Sequence, residues 1–133
     1  MTQEDKELLM KDLCARLPYG VCFLAYKVRY GGTDVTIFDK EKMMGIVEDT
    51  IISQSESFSI EKVRPYLRPM SSMTEEEKRQ YRDYFQSIEG KIIGVTGRVL
   101  WTIDWLLKNH FDFRGLIPKG LAIEVTEENN PYK

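Results

Sequence analysis

V-C-F-L-A-Y-K-V-R-Y-G-G-T-D-V-T-I-F, residues Val21–Phe38, places two runs rich in β-branched and aromatic residues on either side of a glycine pair. Such runs are typical of β-strands, and Gly31-Gly32 is typical of a two-residue hairpin turn. A turn of that length fixes which residues oppose each other. The predicted pairs are Tyr30 with Thr33, Arg29 with Asp34, Val28 with Val35, Lys27 with Thr36 and Tyr26 with Ile37.

This register predicts a hairpin with one apolar and one polar face, because side chains alternate along each strand. Arg29 opposite Asp34 is also a favourable cross-strand charge pair. The pattern indicates an antiparallel sheet whose apolar face packs on a core. The apolar face collects Tyr26, Val28, Tyr30, Val35 and Ile37, and the polar face collects Lys27, Arg29, Asp34 and Thr36.

A second specific stretch is R-P-Y-L-R-P-M-S-S-M-T-E-E-E, Arg64–Glu77. Each proline removes a backbone donor and disfavours the helical conformation in the arginine before it. We therefore expect residues 64–69, called the strap below, to be extended. Thr74 then has the features of a helix N-cap, because Glu77 three residues later completes a capping box. A helix is predicted from Thr74 to about Ile88.

The remaining patterns predict two more helices and further strands. Thr2 is expected to cap a first helix and Thr102 a third, which ends at Asn109-His110. The first helix has an apolar stripe of Leu9, Leu13 and Leu17, with Met10 and Cys14 beside it. Further strands are predicted at Ile46–Ile52, Lys91–Leu100 and Leu121–Val125. The fold class predicted is α+β, a small antiparallel sheet with a β-hairpin, packed by about three helices.

The composition is that of one domain spanning residues 1–133, of which about 126–133 form a polar tail. Hydrophobic residues make up 42% of the 133 residues, and 19 basic residues nearly balance 21 acidic ones. That balance gives no electrostatic footprint for nucleic acid or a membrane surface. The first residues lack a signal-peptide pattern, and no window approaches the ~20 apolar residues of a membrane span. We expect a cytoplasmic protein in which Cys14 and Cys22 are buried thiols.

The lone histidine, His110, lies in N-H-F-D-F-R-G, two residues before Asp112 and four before Arg114. An imidazole beside a carboxylate and a guanidinium is suited to acid–base catalysis, so these three are the candidate catalytic residues. The alternative is that His110 interacts with the last carbonyls of its helix, while Asp112 caps one further helical turn, Phe113–Ile117. No nucleophile or oxyanion-hole pattern accompanies them, which favours the structural interpretation.

The sequence gives no metal or cofactor signal. One histidine, two separated cysteines and scattered acids lack the ligand spacing of a zinc site, and the glycines lack the pattern of a phosphate-binding loop. We therefore expect no metal and no cofactor.

A stronger binding pattern is the interleaving of basic and aromatic residues on the hairpin and the strap. Such a surface would suit phosphates or stacked bases if the two segments are neighbours. The alternative is that Tyr26 and Tyr30 pack on the core and the arginines pair with Asp34 and Glu61. The candidate binding residues are Arg64, Tyr66, Arg68, Lys27, Arg29 and Tyr30.

Two stretches, V-R-P-Y-L-R-P-M-S-S-M-T-E-E-E (Val63–Glu77) and D-W-L-L-K-N-H-F-D-F-R-G-L-I-P-K-G-L-A (Asp104–Ala122), carry a family resemblance. They resemble a family of small uncharacterised proteins of prophages and mobile elements in gut anaerobic bacteria. Pro118 stands where that family has an acidic residue. The resemblance implies a bacterial cytosolic protein encoded on phage-like DNA, and it implies no particular activity.

Three functions follow from these observations. The first is a non-enzymatic accessory factor that binds a protein partner, because the strongest signals in the chain are architectural. The alternative is a small nucleic-acid-binding module that uses the 21–38 hairpin and the 64–69 strap. The second alternative is an enzyme centred on His110. A membrane partner is not expected.

Overall fold

The computed structural model describes residues 1–28, 34–89 and 95–133, with the side chains of residues 83–101 outside the description. Within these ranges the chain forms three α-helices and a mostly antiparallel sheet, which confirms the α+β class. The helices are α1 (Gln3–Arg16), α2 (Glu75–Glu89) and α3 (Val95–Lys108). The strands are β1 (Cys22–Val28), β2 (Val35–Val47), β3 (Thr50–Ser53), β4 (Ser57–Ser59), β5 (Val63–Pro69), β6 (Phe111–Asp112) and β7 (Ile123–Glu124).

The strand order is β4-β3-β2-β1-β5-β6, and β7 also pairs with β5. All pairs are antiparallel except those of β5 with β6 and β7. The long strand β2 bends the sheet, because Ala25 opposes Phe38 whereas Phe23 opposes Glu41, so β2 carries one extra residue at this point. Lys40 lies at this bulge with φ 55°. The bend lets one half of β2 pair with β1 and the other half with β3.

The predicted hairpin register is confirmed for the pairs that the structure describes. Val28 opposes Val35, Lys27 opposes Thr36 and Tyr26 opposes Ile37. The turn itself and the pairs involving Tyr30 and Arg29 lie outside the described residues.

The prediction that the apolar face of the hairpin packs on the core is wrong for the described residues. Tyr26, Val28, Val35 and Ile37 are all exposed, Ile37 by 67%. The core instead receives the other face of β1, through the fully buried Phe23 and Ala25. Strand β1 is apolar on both faces over much of its length, so alternation alone does not decide which face is buried.

Helix α1 covers the core side of the sheet. Its N-terminus has the predicted capping box, in which the Thr2 side chain accepts from the Asp5 backbone and the Asp5 side chain accepts from the Thr2 backbone. Leu9 and Leu13 are fully buried beside Phe23. Cys14 is exposed and Cys22 half-buried, so the expectation of two buried thiols is wrong. The helix instead buries Asp12 and Arg16.

The strap is extended, as predicted, because it forms most of β5. The predicted capping box at the start of α2 is also confirmed. The Glu77 N–H donates to Thr74 Oγ1 at 3.1 Å, and the Thr74 N–H donates to Glu77 Oε1 at 3.0 Å. The final strand predicted at Leu121–Val125 is present as the shorter β7.

Three element predictions are corrected. The strand predicted at Lys91–Leu100 is wrong for residues 95–100, which begin α3, so Thr102 lies inside a helix instead of capping one. Residues 90–94 lie outside the described part. The strand predicted at Ile46–Ile52 is divided by a turn at Glu48-Asp49, and β2 and β3 flank it. The helical turn predicted at Phe113–Ile117 is absent from these residues, of which Arg114 is a bend.

Candidate functional site

One concavity of the described residues is a cleft of about 670 Å³, called the His110 cleft below. It lies where the end of α3, the end of β5 and the last residues of the chain meet. Its wall includes Arg68, Glu77, Lys108, His110, Tyr132 and Lys133. Its volume is within the ~300–1,000 Å³ that is usual for small-molecule sites.

The backbone around His110 is held in an uncommon conformation. Helix α3 ends at Lys108, directly before the predicted end at Asn109-His110. The His110 N–H donates to the Leu107 carbonyl at 3.0 Å. His110 has φ 64°, a left-handed value that few residues other than glycine adopt. Its carbonyl accepts from the Arg68 N–H at 2.8 Å. These two bonds fix the position of the imidazole ring at the cleft.

The ring of His110 stacks on the ring of Tyr132, with centroids 3.6 Å apart and planes within 8°. Its Nδ1 is buried and has no hydrogen-bond partner among the residues that the structure describes. Burial is the main cause that lowers the pKa of His110 from 6.5 to about 4, and the nearby guanidinium groups of Arg16 and Arg68 contribute to this shift. The imidazole is therefore neutral at pH 7.

Tyr132 comes from the segment predicted as a polar tail, yet it packs against the core cluster. Its hydroxyl lies between β1 and β5, where it accepts from the Cys22 N–H at 3.0 Å and donates to the Tyr66 carbonyl at 2.6 Å. The hydroxyl thereby bridges two strands that pair directly only from Phe23 onward. Burial raises the pKa of this tyrosine.

Arg68 joins the strap to α2. Its Nη1 and Nη2 donate to the two carboxylate oxygens of Glu77 at 2.7 and 2.6 Å, and Nη2 also reaches the Ser72 carbonyl. The guanidinium lies over the Phe111 ring, 4.2 Å from its centroid. Its planar face and three of its five N–H donors are therefore occupied.

The Arg68–Glu77 pair predicts an acid-sensitive start of α2. The hydrogen bond from Arg68 is the main cause that lowers the pKa of Glu77 from 4.5 to about 2. Because the folded value lies below the unfolded one, the carboxylate stabilises the fold above pH 4.5, and this contribution is lost as the pH falls toward 2. We expect Glu77→Gln to lose less free energy of unfolding than the wild type between about pH 6 and about pH 3, measured by urea unfolding. Glu75→Gln is the control, and equal pH dependence of Glu77→Gln and wild type would contradict the prediction.

A buried ionic network lies beneath the cleft. Asp12 accepts from Arg16 Nε at 2.6 Å, from Arg16 Nη2 at 3.1 Å and from Arg114 Nη1 at 3.0 Å. Arg16 Nη2 also donates to the Phe111 carbonyl at 2.6 Å. Asp12 and Arg16 are both fully buried. Arg16 Nη1 has no partner in the described part of the chain.

The three candidate catalytic residues do not form one catalytic group. The Asp112 carboxylate accepts from the backbone N–H groups of Leu116 and Ile117, both at 2.9 Å. Arg114 binds Asp12, and His110 faces the cleft with Tyr132. Asp112 therefore orders a turn, as the structural interpretation of this residue predicts. The turn comes later in the chain than the predicted Phe113–Ile117.

The candidate binding residues of the hairpin and the strap lie on neighbouring strands, but their side chains contact different partners. Leu24 opposes Arg64, so β1 and β5 are neighbours. However, Lys27 binds Glu56 at 2.7 Å on the core side of β1. Arg64 donates to the Glu61 and Val63 carbonyls. Buried Tyr66 donates to Asp39. Burial and this hydrogen bond raise the pKa of Tyr66 to about 12. Arg29 and Tyr30 lie outside the described residues.

A second surface is the exposed apolar side of the hairpin. Its members are Tyr26, Val28, Val35 and Ile37, called the hairpin face below, with exposed fractions of 38%, 44%, 57% and 67%. They form two directly opposed pairs, Tyr26 with Ile37 and Val28 with Val35, so they are contiguous. Pairing of β1 with β5 ends at Ala25, so this end of the hairpin extends beyond β5.

Cations border the hairpin face. Lys62 lies over the Tyr26 ring, 5.1 Å from its centroid. Arg64 opposes Leu24, which alternation places on the same side of β1 as Tyr26. Asp39, on the same side of β2, already accepts from the Tyr66 hydroxyl.

In the described ranges, no helix has the length and apolar character to cross a membrane. The same residues contain no group of three or more His, Cys, Asp or Glu side chains that is placed to hold a metal ion. Comparisons with protein-family models, with curated proteins and with solved structures find no match to this chain.

Proposed function

We propose that this chain is a non-enzymatic protein-interaction factor, and that the hairpin face binds its partner. The observation that carries the proposal is the contiguous exposure of Tyr26, Val28, Val35 and Ile37. Exposed apolar patches with a polar rim are typical of protein-binding surfaces. The resemblance of residues 63–77 and 104–122 to prophage proteins supports a role as an accessory factor in a bacterial cell.

The cationic border indicates the chemistry of the partner. Lys62 and Arg64 flank the apolar residues, and the nearby carboxylate of Asp39 is engaged by Tyr66. A partner that presents apolar side chains flanked by acidic ones would bury the face and pair with these cations. Association of two copies through the same face would bring Lys62 and Arg64 of both copies to one interface, where their like charges repel. A different protein is therefore the proposed occupant.

The test uses Val35→Lys/Ile37→Lys, which places two charges in the face. Both side chains are more than half exposed, so the free energy of unfolding is expected to change by about 0.5 kcal/mol per site or less. Val47→Lys is the matched control, because Val47 is an equally exposed valine at the other end of β2. A partner is isolated with the wild type from a bacterial lysate, purified, and titrated against all three proteins by calorimetry.

We expect the double variant to lose at least about tenfold in affinity, equivalent to about 1.4 kcal/mol, while Val47→Lys binds like the wild type. Equal affinity of the double variant and the control overturns the proposal. Sedimentation that shows a wild-type dimer broken by the double variant overturns the choice of occupant. A bound nucleic acid whose affinity falls steeply with salt and survives the double substitution favours the nucleic-acid alternative instead.

A further inference from the structure

We propose that the His110 cleft binds a small anionic ligand, through carboxylate or phosphate oxygens that accept hydrogen bonds. This site is separate from the hairpin face, and neither proposal depends on the other. The first support is the shape and position of the cleft, whose volume of about 670 Å³ suits a metabolite-sized molecule.

The second support is the proton position that the surroundings impose on His110. A neutral imidazole carries its proton on either Nδ1 or Nε2. Nδ1 is buried and has no acceptor among the described residues. A proton on Nδ1 would therefore be buried without a partner, so a lone pair is favoured on that atom. The proton is therefore on Nε2.

Nε2 belongs to the part of the ring that lines the cleft, since Nδ1 is the buried nitrogen. His110 thus presents an N–H donor to the cleft. The stacked ring of Tyr132 and the two backbone bonds of His110 hold this donor in one direction. A donor fixed in this way requires an acceptor from the ligand.

The third support is charge. The Arg68 and Glu77 charges in the wall neutralise each other within their pair. Lys108 and Lys133 also line the cleft, and neither has an ion-pair partner among the described residues, whereas Glu127 is the remaining acid of the wall. The side chains of the wall therefore carry one net positive charge, since Arg68, Lys108 and Lys133 outnumber Glu77 and Glu127, and together with the histidine donor this favours an anion.

The experiment titrates the full chain with inorganic phosphate and, separately, with succinate. Nitrogen-detected NMR of the imidazole reports the proton position, and calorimetry reports affinity. We expect the free protein to carry the His110 proton on Nε2, and one of the two probes to shift the Nε2 signal. The probe that binds shows whether the cleft prefers phosphate or carboxylate oxygens.

Two variants test the residues. Lys108→Ala/Lys133→Ala is expected to weaken binding about tenfold, since it removes both free cations. His110→Asn tolerates the left-handed backbone but is too short to present a donor at the Nε2 position, so it is expected to weaken binding by a similar factor. Lys119→Ala, an exposed lysine outside the cleft, is the control for a general charge effect. Thermal melting establishes that each variant is folded.

Three results overturn the proposal. One is a proton on Nδ1 in the free protein. Another is no response to either probe. The last is equal binding by the control and both variants, which identifies an adventitious ion only.

Discussion

Asp12→Ala is expected to lower the free energy of unfolding by about 3–5 kcal/mol. Asp12 is the only described carboxylate that contacts Arg16, and both side chains are fully buried. Removal of the acid leaves a buried guanidinium without its counter-charge. Stabilities of single domains are typically about 5–15 kcal/mol, so the variant is expected to be near its unfolding threshold. Urea unfolding followed by circular dichroism measures the loss.

A double substitution separates the ionic effect from packing. Asp12→Leu/Arg16→Met replaces both charges by apolar groups of similar length, and replacement of a buried pair in this way is often neutral or stabilising. We expect it to recover most of the stability lost by Asp12→Ala. Glu7→Ala, at an exposed position of α1, is the control and is expected to change stability by about 0.5 kcal/mol or less. A loss below about 1 kcal/mol for Asp12→Ala would contradict the argument.

Tyr132→Ala is expected to lower the free energy of unfolding by about 3 kcal/mol, in the range of aromatic truncations in cores. The substitution removes the ring that stacks on His110 and the hydroxyl that bridges Cys22 and Tyr66. Loss of the ring also exposes His110. Because burial is the main cause that lowers the pKa of His110, that pKa is expected to rise from about 4 toward 6.5. Imidazole chemical shifts as a function of pH measure this change.

Tyr132→Phe isolates the contribution of the hydroxyl. It keeps the ring but leaves the Cys22 N–H and the Tyr66 carbonyl without their bridge, at an expected cost of about 1–3 kcal/mol. Amide exchange at Cys22 is expected to accelerate. Tyr19→Phe is the matched control, because the Tyr19 hydroxyl has no hydrogen bond to the described residues. Similar stability changes in Tyr132→Phe and Tyr19→Phe would show that the bridge contributes nothing.

The features that were predictable from the sequence are those set by neighbours in the chain. The hairpin register follows from a turn length and the period of a strand, and the capping boxes of α1 and α2 each depend on four consecutive residues. The extended strap follows from the prolines themselves.

The features that were not predictable depend on contacts between distant segments. Val95–Leu100 has the β-branched composition of a strand, yet it is helical as part of α3, which packs on α1 and β6. Arg16 lies at the last turn of α1, and its buried guanidinium donates to the Phe111 carbonyl, 95 residues away in the chain. His110 is conspicuous in the sequence as the lone histidine, but its stacking partner Tyr132 carries no signal beyond a lone aromatic residue in a polar segment.

The bridge made by Tyr132 has a consequence for the order in which the protein is completed during synthesis. The hydroxyl accepts a hydrogen bond from the Cys22 N–H, which lies 110 residues earlier in the chain. A ribosome makes the chain from its N-terminus at about 5–20 residues per second, so β1 and β5 exist for seconds before the bridging residue is made. During that interval the Cys22 N–H and the Tyr66 carbonyl have no tyrosine to join them. The nascent protein therefore lacks this connection between β1 and β5 until Tyr132 has been made.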